Sequence, residues 1–423
     1  MNLRRQQQLL YIIADFISSE LVWICCFGFR WMVYEGRVEL LNDVLIPAFS
    51  LWRPLLIYPF VCLIVYYLSG YYLRPFQKTL WREFSRTLAS AAIISLIFFF
   101  AIIIDDQVDS YYRYIVSLAV LFGLQFVLSY LPRLTITLCT RNRGVKRTVT
   151  VHNAEEADKL TAGEQDEIIL DLPTSYTNAQ LYALIAKLYP LTCEMSMVPR
   201  VYDMLTGAAR IGYVDSPSLI RITEHRMKDY EVCTKRAFDV VASALGLIFL
   251  SPLFAIIAVQ VRLSSPGPVI YSQERIGMYG LPFRIYKFRT MNVNAEADGV
   301  PQLTHDHDPR ITPIGRWLRK YRLDELPQLW NIIRGDMSLV GHRPERPYFI
   351  KQIMEEAPYY CLLYKVRPGL AGWGMIRVGY ADNMEQLVER LNCDIVYVEN
   401  MSLLLDLKIM FYIFGVIILG KGK

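Results

Sequence analysis

One apolar stretch decides how the C-terminal half of this chain meets a membrane: Phe238–Leu263, FDVVASALGLIFLSPLFAIIAVQVRL. A helix of this length could cross the hydrocarbon core of a bilayer, which takes roughly 20 residues. Ser251-Pro252 lies at its centre, and a proline removes a helix hydrogen bond and breaks the helix. Lys235 precedes the stretch and Arg262 ends it, and positive charge on both sides favours two cytoplasmic ends. The pattern predicts a re-entrant helix over 238–263; a kinked transmembrane span is the alternative.

Four apolar segments near the N-terminus predict a four-helix transmembrane domain over residues 1–145. Hydrophobic residues make up 53% of the 423 residues, and they concentrate in this region. The segments run over about Leu9–Tyr34, Pro54–Leu73, Thr87–Ile104 and Tyr114–Cys139. The first is too long for a cleavable signal peptide, contains two acidic residues and lacks a small-residue cleavage site. We therefore expect it to stay in the protein as a membrane helix.

The distribution of Lys and Arg predicts how this bundle is oriented. Basic residues precede the first segment, separate the second from the third and follow the fourth, whereas Asp105, Asp106 and Asp109 follow the third. The positive-inside rule then places both ends of the bundle in the cytoplasm. Because the formal net charge is only +5, the basic clusters indicate topology and contacts with anionic lipids of the bilayer, not nucleic-acid binding.

Residues 146–225 predict a small cytoplasmic α/β domain. Short β-type runs at Thr148–His152, Glu167–Leu172 and Cys193–Val198 surround an amphipathic helix at Asn178–Leu188. The segment lacks a GxGxxG motif, a P-loop and a metal cluster. We interpret it as a degenerate nucleotide-binding fold that spaces or dimerises the protein; an intact ligand site is the alternative. The eight cysteines form no CxxC pair and are interpreted as reduced structural thiols.

Two adjacent acids among cations are the strongest sign of chemistry. They lie in Arg319–Asn331, RKYRLDELPQLWN, as Asp324 and Glu325. A carboxylate can attack phosphorus and form an acyl phosphate, and cationic neighbours keep it ionised. The pattern predicts a helix that continues to Leu326, and adjacent residues on a regular helix do not face each other. The two acids can therefore have different roles.

Further candidates for phosphate binding flank this pair. Alternation in Phe283–Met291 predicts a β-strand with Lys287 and Arg289 on one face, although a solvated edge strand would look the same. Arg343-Pro344 and Arg367-Pro368 predict loops that hold a guanidinium rigidly, and arginine suits bidentate phosphate binding. Asp394 is a candidate third acid, with a helix-surface carboxylate as the equally good alternative.

Two segments allow several interpretations. The polar loop Asn292–Pro313 contains His-Asp-His-Asp, which is more typical of a mobile surface loop than of a metal site; it is also long enough for a lid. The tail Met401–Lys423 predicts an amphipathic helix in the membrane interface, and a final transmembrane span is the weaker alternative.

The chain from Lys235 to the C-terminus resembles the bacterial polyprenyl-phosphate sugar-1-phosphate transferases. The resemblance rests on an ordered set of motifs: KRAFDVVAS, the Ser-Pro break, QERIG, KFRTM, RLDELPQLWN, GDMSLVGHRPE, RPGLAGW and MSLLLDLKI. Four preceding helices and a degenerate α/β domain are similar to the long, multi-domain branch of that family. The implied fold is a mixed membrane protein: a four-helix bundle, a small α/β domain, and a monotopic, α-rich catalytic domain over 230–423 with short strands and Ser251-Pro252 at the re-entrant turn.

The resemblance also implies a reaction, in which a sugar-1-phosphate passes from a UDP-sugar to undecaprenyl phosphate and UMP is released. It makes Asp324 the nucleophile, with Glu325 beside it, and places Lys287, Arg319, Arg343 and Asp394 at polar active-site positions. It implies Mg²⁺ near Asp324, and together with the charge distribution it predicts a catalytic domain on the cytoplasmic face of the bacterial inner membrane. The middle domain could support a homodimer. Magnesium favours few carboxylates plus substrate phosphates.

Two departures from the family pattern leave the arginines intact. His342 replaces a proline in GHRPE, and Ala371–Ile376 replaces the usual TGWAQV-type run. A non-catalytic scaffold of polysaccharide assembly and a phosphohydrolase are the alternative functions. The intact acidic pair argues against the scaffold, and the apolar re-entrant stretch favours a lipid acceptor over water. The identity of the sugar stays open.

Overall fold

The structure is a computed structural model that describes residues 3–30, 48–73, 80–105, 111–143, 147–161, 165–173, 175–199, 219–223, 227–292, 295, 302, 308–379 and 381–420. The chain forms two compact units. The first comprises Met1–Val145 and Lys228–Thr234, and the second comprises Lys146–Met227 and Lys235–Lys423.

The first unit is built from apolar helices: α1 (Leu3–Arg30), α2 (Ala48–Leu68), α3 (Leu80–Asp105) and α4 (Tyr111–Arg143). Three of these contain apolar stretches long enough to cross a membrane: Gln6–Cys26, Glu83–Phe100 and Ile115–Cys139. The apolar stretch of α2, Ile57–Leu68, is shorter. The predicted second segment continued to Leu73, but Gly70 adopts φ 75°, a left-handed conformation that cannot continue an α-helix. These helices fit a membrane protein.

A buried ion pair joins the helices of this unit. Arg133 on α4 donates two hydrogen bonds to Asp15 on α1, at 2.6 and 2.9 Å, and a third to Thr87 on α3 at 3.1 Å. The rings of Tyr66 and Tyr71 each lie 3.9 Å from the guanidinium carbon. An ionisable residue in an apolar bundle is costly unless it is paired, and here the pairing connects three helices and the turn that follows α2.

The second unit begins with a four-stranded sheet. Its elements are β1 (Thr148–Val151), α5 (Ala154–Asp158), β2 (Glu167–Leu170), α6 (Asn178–Leu188), β3 (Glu194–Met197) and β4 (Ile220–Arg221). The strands follow the order β1-β2-β3-β4, parallel except for β4. Thr177 caps α6 with a reciprocal capping box to Gln180. The strands and the helix lie within two residues of their predicted bounds.

The rest of the second unit contains the elements that build the site. They are α7 (Asp229–Phe249, of which the residues after Thr234 belong to this unit), α8 (Ser251–Ser264), β5 (Ile270–Ile276), β6 (Pro282–Phe288), α9 (Pro313–Lys320), α10 (Gln328–Arg334), β7 (Ser338–Val340), α11 (Pro347–Glu356), β8 (Gly369–Ala371), α12 (Trp373–Arg377), α13 (Met384–Glu399) and α14 (Leu403–Ile418). Strands β5 and β6 form an antiparallel hairpin, and β7 pairs in parallel with β8.

The α/β part packs against this region through aromatic rings. Tyr182 on α6 contacts Tyr359 at a centroid distance of 6.1 Å, and Tyr189 contacts Tyr364 at 5.8 Å. Both partners belong to the 3₁₀ segment Pro358–Lys365. The predicted small domain therefore packs directly against a segment of the region that follows it in the chain.

Helices α7 and α8 meet at the predicted break with a bend of 63°. Pro252 has no N–H to bond the carbonyl of Ile248, and the hydroxyl of Ser251 donates to that carbonyl instead, at 2.8 Å. Both helices expose large apolar side chains, including Phe249 at 76% and Leu263 at 82%. The bend and its hydrogen bond follow from the Ser-Pro sequence itself.

The opposite face of α7 is polar and bonded to the core. Lys235 donates to Asp406 on α14 at 2.6 Å and to the carbonyl of Val340 at 2.9 Å. Asp239 accepts hydrogen bonds from the hydroxyl of Ser338 at 2.6 Å and from a backbone N–H of β7. Buried polar groups need such partners, so these bonds fix α7 against β7.

Candidate active site

Asp324 and Glu325 lie on a short 3₁₀ turn, Leu323–Glu325, and not on the predicted helix. Helix α9 ends at Lys320, and the prediction that it continues to Leu326 is wrong. Arg322 adopts φ 54°, a left-handed conformation that is costly for a non-glycine residue and interrupts the helix. Its buried guanidinium donates to Oε2 of Glu325 at 3.2 Å. This ion pair compensates for the backbone cost and separates the two acids from α9.

Glu325 is a buried carboxylate held by three cations. Its Oε1 accepts hydrogen bonds from Nζ of Lys287 at 2.8 Å and from both terminal nitrogens of Arg343 at 3.2 Å. Arg322 occupies the other oxygen. Burial alone would raise the pKa of this carboxyl, but Lys287, Arg343 and Arg322 together hold it well below its usual range. Glu325 is therefore ionised, and its oxygens are engaged.

Asp324 has the opposite environment. Its side chain is 6% exposed and faces a cavity, and no described residue donates a hydrogen bond to its Oδ1. Burial raises the pKa of Asp324 to about 6; Lys287 opposes this shift, and the negative charge of Glu325 adds to it. Neighbouring carboxyls whose pKa values are pushed apart are typical of different chemical roles. Asp324 is the acid that remains available to a substrate.

The cavity next to Asp324 has a volume of about 420 Å³. Among its described lining residues are eight basic side chains and two carboxylates. Alternate residues of β5 line it, namely Tyr271, Gln273 and Arg275, as do Ile285 and Lys287 of β6. A concave site with this excess of positive charge suits an anionic ligand with several phosphate oxygens.

The structure brings Lys287, Arg319 and Arg343 together at this cavity. Arg319 donates through Nε to the hydroxyl of Thr290 at 2.9 Å, which holds its guanidinium at the cavity wall. Lys287 is partly buried, and desolvation lowers its pKa while Glu325 opposes the shift. All three cations lie on different elements, so only the fold brings them together.

Arg289 lines the same cavity, but its guanidinium has structural partners. It donates to the carbonyl of Ser265 at 2.6 Å, to the hydroxyl of Ser265 at 3.0 Å and to the carbonyls of Pro268 and Val261. These groups belong to the end of α8 and the segment that follows it. The arginine therefore fastens α8 to the cavity wall, which differs from the predicted role in phosphate binding.

Two predicted residues are not among the lining residues of the cavity. Arg367 donates through Nε to the carbonyl of Gly335 at 2.9 Å, beyond the end of α10. Asp394 is 3% exposed, so the alternative of a surface carboxylate is excluded. It accepts the backbone N–H of Gly374 at 2.9 Å and that of Arg343, and burial raises its pKa to about 6. Asp394 thus positions the backbone of an arginine that touches the cavity.

A second ion-pair group in the cavity was not predicted. Glu345 pairs with Arg275 at 3.4 Å and, through its other oxygen, with Arg390. Burial lowers the pKa of Arg275 to about 10, and Glu345 opposes the shift. Arg275 and Glu345 belong to motifs quoted above, QERIG and HRPE. Nothing in the sequence near Arg390 on α13 predicted that this arginine would pair with Glu345.

The residue that departs from the family pattern is a buried, neutral histidine. His342 is 1% exposed, and burial lowers its pKa to about 3. No described residue bonds its Nδ1.

Trp373 belongs to the second departure from the family pattern. The ring of Trp373 lies 5.0 Å from the guanidinium carbon of Arg377, and Trp373 is not among the lining residues of the cavity.

Within the described part of the chain, no group of three or more His, Cys, Asp or Glu residues could hold a metal ion. His305, Asp306 and His307 lie outside the described residues. Of the two carboxylates that line the cavity, Glu345 is occupied by arginines, whereas Oδ1 of Asp324 accepts no hydrogen bond from a described residue. This donor set fits a Mg²⁺ ion coordinated mainly by substrate phosphates and water.

The family model described as Bacterial sugar transferase matches residues 230–420. An exopolysaccharide production protein PSS of Rhizobium leguminosarum is 37% identical over 201 residues, which cover 46% of this chain and 98% of that protein. The matched region contains every residue of the cavity described above.

Two longer relatives carry the names of sugar-phosphate transferases. The UDP-N-acetylgalactosamine-undecaprenyl-phosphate N-acetylgalactosaminephosphotransferase of Aeromonas hydrophila is 34% identical over 62% of this chain and 61% of its own length. The UDP-glucose:undecaprenyl-phosphate glucose-1-phosphate transferase of Escherichia coli K12 is 36% identical over 55% of this chain. The chain covers half of the latter's length, and the two names specify different sugars.

Proposed function

Because the chain belongs to the bacterial sugar transferase family, we propose that it transfers a sugar-1-phosphate, most simply a hexose-1-phosphate, from a UDP-sugar to undecaprenyl phosphate and releases UMP. This would be the first membrane step in the assembly of an exopolysaccharide, capsule or O-antigen. The observation that carries the proposal is Asp324, which lines a cavity rich in cations and whose Oδ1 accepts no hydrogen bond from a described residue.

In the first half-reaction, a carboxylate oxygen of Asp324 attacks the phosphorus that carries the sugar. A bond forms between that oxygen and phosphorus, and the bond from phosphorus to the bridging oxygen of UMP breaks. UMP leaves with the electron pair, and the enzyme keeps the sugar-phosphate as an acyl phosphate. In the second half-reaction, a phosphate oxygen of undecaprenyl phosphate attacks the same phosphorus, and the carboxylate of Asp324 is released.

The surrounding cations supply the electrostatic part of this mechanism. Lys287, Arg319 and Arg343 approach the acid from three elements and would bind the phosphate oxygens of both substrates. Because the site is buried, each charge interaction there is stronger than in water. Glu325 holds two of these cations in place by accepting their hydrogen bonds, which explains why the second acid is not a second nucleophile.

The carboxylate of Asp324 would hold a Mg²⁺ ion together with phosphate oxygens of the donor. When bound, it would neutralise charge on the diphosphate and so assist the departure of UMP. Its affinity would depend on the nucleotide, because the described part of the protein offers few oxygen ligands.

We place the catalytic part at the cytoplasmic face of the bacterial inner membrane, with α7 and α8 as a re-entrant pair. The bend of 63°, the satisfied carbonyl of Ile248 and the exposed apolar side chains on both helices support this placement. Helix α14 exposes Phe411 and Phe414 at 71% and 65%, which favours an interfacial position for the tail. A homodimer through the α/β part stays a prediction.

Measurement of UMP release tests the function. The purified protein is incubated with a panel of UDP-hexoses, Mg²⁺ and undecaprenyl phosphate, and Asp324→Asn is compared with Asp171→Asn, a half-exposed position in the α/β part. We expect lipid-dependent UMP release that Asp324→Asn abolishes and Asp171→Asn retains. Because formation of the acyl phosphate itself frees one UMP per enzyme without lipid, only repeated turnover without lipid would indicate a hydrolase instead, and absence of release with every donor would favour a non-catalytic scaffold.

A further inference from the structure

The face of β5 that lines the cavity changes in character along the strand. Tyr271, Gln273 and Arg275 point into the cavity at alternate positions, as the pleat of a strand requires. They span roughly 13 Å, at a rise of about 3.3 Å per residue. The floor of the cavity is thus aromatic at one end and cationic at the other.

The aromatic end is the one attached to the membrane helix. Strand β5 begins six residues after α8 ends at Ser264, and Arg289 bonds the connecting segment to the cavity wall. Phe254 on α8 contacts Phe288 on β6 at a centroid distance of 5.4 Å, and Phe288 itself lines the cavity. Phe288 is 2% exposed, so it joins α8 to the cavity wall through a buried apolar cluster.

Tyr271 is also next to the acidic pair. In the hairpin register it lies directly opposite Lys287, so their side chains are neighbours on the same face of the sheet. Lys287 donates a hydrogen bond to Glu325, and Asp324 is the residue immediately before Glu325 in the chain. A ligand group in contact with Tyr271 would therefore lie next to Lys287, one of the cations that surround Asp324.

Tyr271 and Pro268 are both exposed and both line the cavity, so this end is a rim and not a closed wall. The opposite end of the floor carries Arg275 in its ion pair with Glu345. An amphiphile with an apolar chain and a phosphate head matches the Tyr271 end of the cavity. A nucleoside diphosphate matches the Arg275 end.

We propose that undecaprenyl phosphate reaches Asp324 over an acceptor lip formed by Pro268 and Tyr271, with its first isoprene units packed on Tyr271, while the UDP-sugar occupies the Arg275 end. This inference rests on the proposed function and adds the direction from which each substrate arrives. The phosphate of the acceptor then meets Lys287 while its chain stays on apolar surface between the cavity and α8.

Tyr271→Ala tests the acceptor lip, and Ile270→Ala is its matched control. Ile270 is the preceding residue, similarly exposed (40% against 42%), equally close to the end of α8, and not among the lining residues. The donor half-reaction is measured as the burst of UMP from the full chain in detergent without lipid. The acceptor half-reaction is measured as kcat/KM for undecaprenyl phosphate.

We expect Tyr271→Ala to lower kcat/KM for the acceptor about tenfold, because an aromatic contact with the isoprenoid is lost, and to leave the UMP burst intact. Ile270→Ala should change neither value, and Tyr271→Phe, which keeps the ring, should resemble the unsubstituted protein. The intact burst also shows that the variant is folded. The loss should persist with geranyl phosphate in detergent, because this short acceptor retains the first isoprene units.

Three results would overturn the acceptor lip. They are an equal loss in Ile270→Ala and Tyr271→Ala, a smaller UMP burst with unchanged acceptor kinetics in Tyr271→Ala, and a loss that disappears with geranyl phosphate, which would indicate general membrane binding. Absence of any UMP burst from the unsubstituted protein would contradict the proposed function, and the acceptor lip would fall with it.

Discussion

Lys287 donates a hydrogen bond to Glu325, with 2.8 Å between Nζ and Oε1. Lys287 is thus bound to the second acid, whereas Oδ1 of Asp324 accepts no hydrogen bond from any described residue. Arg343 and Arg322 bind the same carboxylate, so Glu325 holds three cations next to Asp324. The relationship gives the two adjacent acids different protonation behaviour, and the predictions below depend on it.

The donor half-reaction should require the ionised form of Asp324. Because burial raises the pKa of this carboxyl to about 6, the rate of UMP release without lipid should be constant well above pH 6. It should fall about tenfold per pH unit below that value as the nucleophile becomes protonated. The measurement is the burst rate of UMP as a function of pH; a rate that stays constant down to pH 4.5 would show that ionised Asp324 is not the attacking group.

Glu325→Gln should both slow the reaction and shift its pH dependence. Loss of the negative charge removes a contribution that raises the pKa of Asp324 and releases Lys287 and Arg343 towards it. The acid limb of the burst rate should therefore move to lower pH. The maximal rate should fall roughly 10²- to 10³-fold, because the cations are no longer positioned for the transferred phosphate. A lower rate with an unchanged acid limb would contradict this role.

Asp394→Ala should damage the site indirectly. The substitution leaves the backbone N–H groups of Gly374 and Arg343 without their acceptor, at a cost of roughly 1–3 kcal/mol for each buried group. We expect a lower unfolding temperature and a lower kcat, with donor KM changed less. Asp394→Asn retains one acceptor oxygen and should recover part of both losses. Full stability together with lost activity in Asp394→Ala would instead indicate direct contact with substrate.

Removing one partner of the buried ion pair in the first unit should destabilise the protein more than removing both partners. Arg133→Leu leaves Asp15 buried and unpaired and should destabilise the protein by roughly 3–5 kcal/mol. The double variant Asp15→Leu/Arg133→Leu removes both charges and should be more stable than either single variant. Thermal unfolding of the four proteins in detergent gives the coupling energy. Additive losses would mean that the two residues act independently.

Local features of the molecule could be predicted from the sequence. The break between α7 and α8 follows from Pro252 and from Ser251, which bonds the carbonyl that proline leaves free. The strand that carries Lys287 and the apolar helices of the first unit follow from periodicity and length. Each of these depends on residues close in sequence, where steric and hydrogen-bonding preferences act without help from the rest of the chain.

The conformation of the acidic turn could not be predicted in this way. Helix propensity favoured a continuous helix through Asp324, but the buried pair between Arg322 and Glu325 stabilises a left-handed residue at Arg322. Lys287, which is 38 residues away in sequence, adds to that pair. A tertiary ion-pair network thus overrides the local preference.

The sequence by itself determined the apolar segments, the position of the break and the residue types available for phosphate chemistry. Only the tertiary structure decided that Glu325 is bound by three cations, whereas Oδ1 of Asp324 accepts no hydrogen bond from the residues that the structure describes. It also decided that Arg289 fastens a helix while Arg319 and Arg343 line the cavity, and that Asp394 supports a backbone. The reason is physical: the charge, burial and pKa of an ionisable group depend on partners brought from distant parts of the chain, and those partners have no fixed spacing along it.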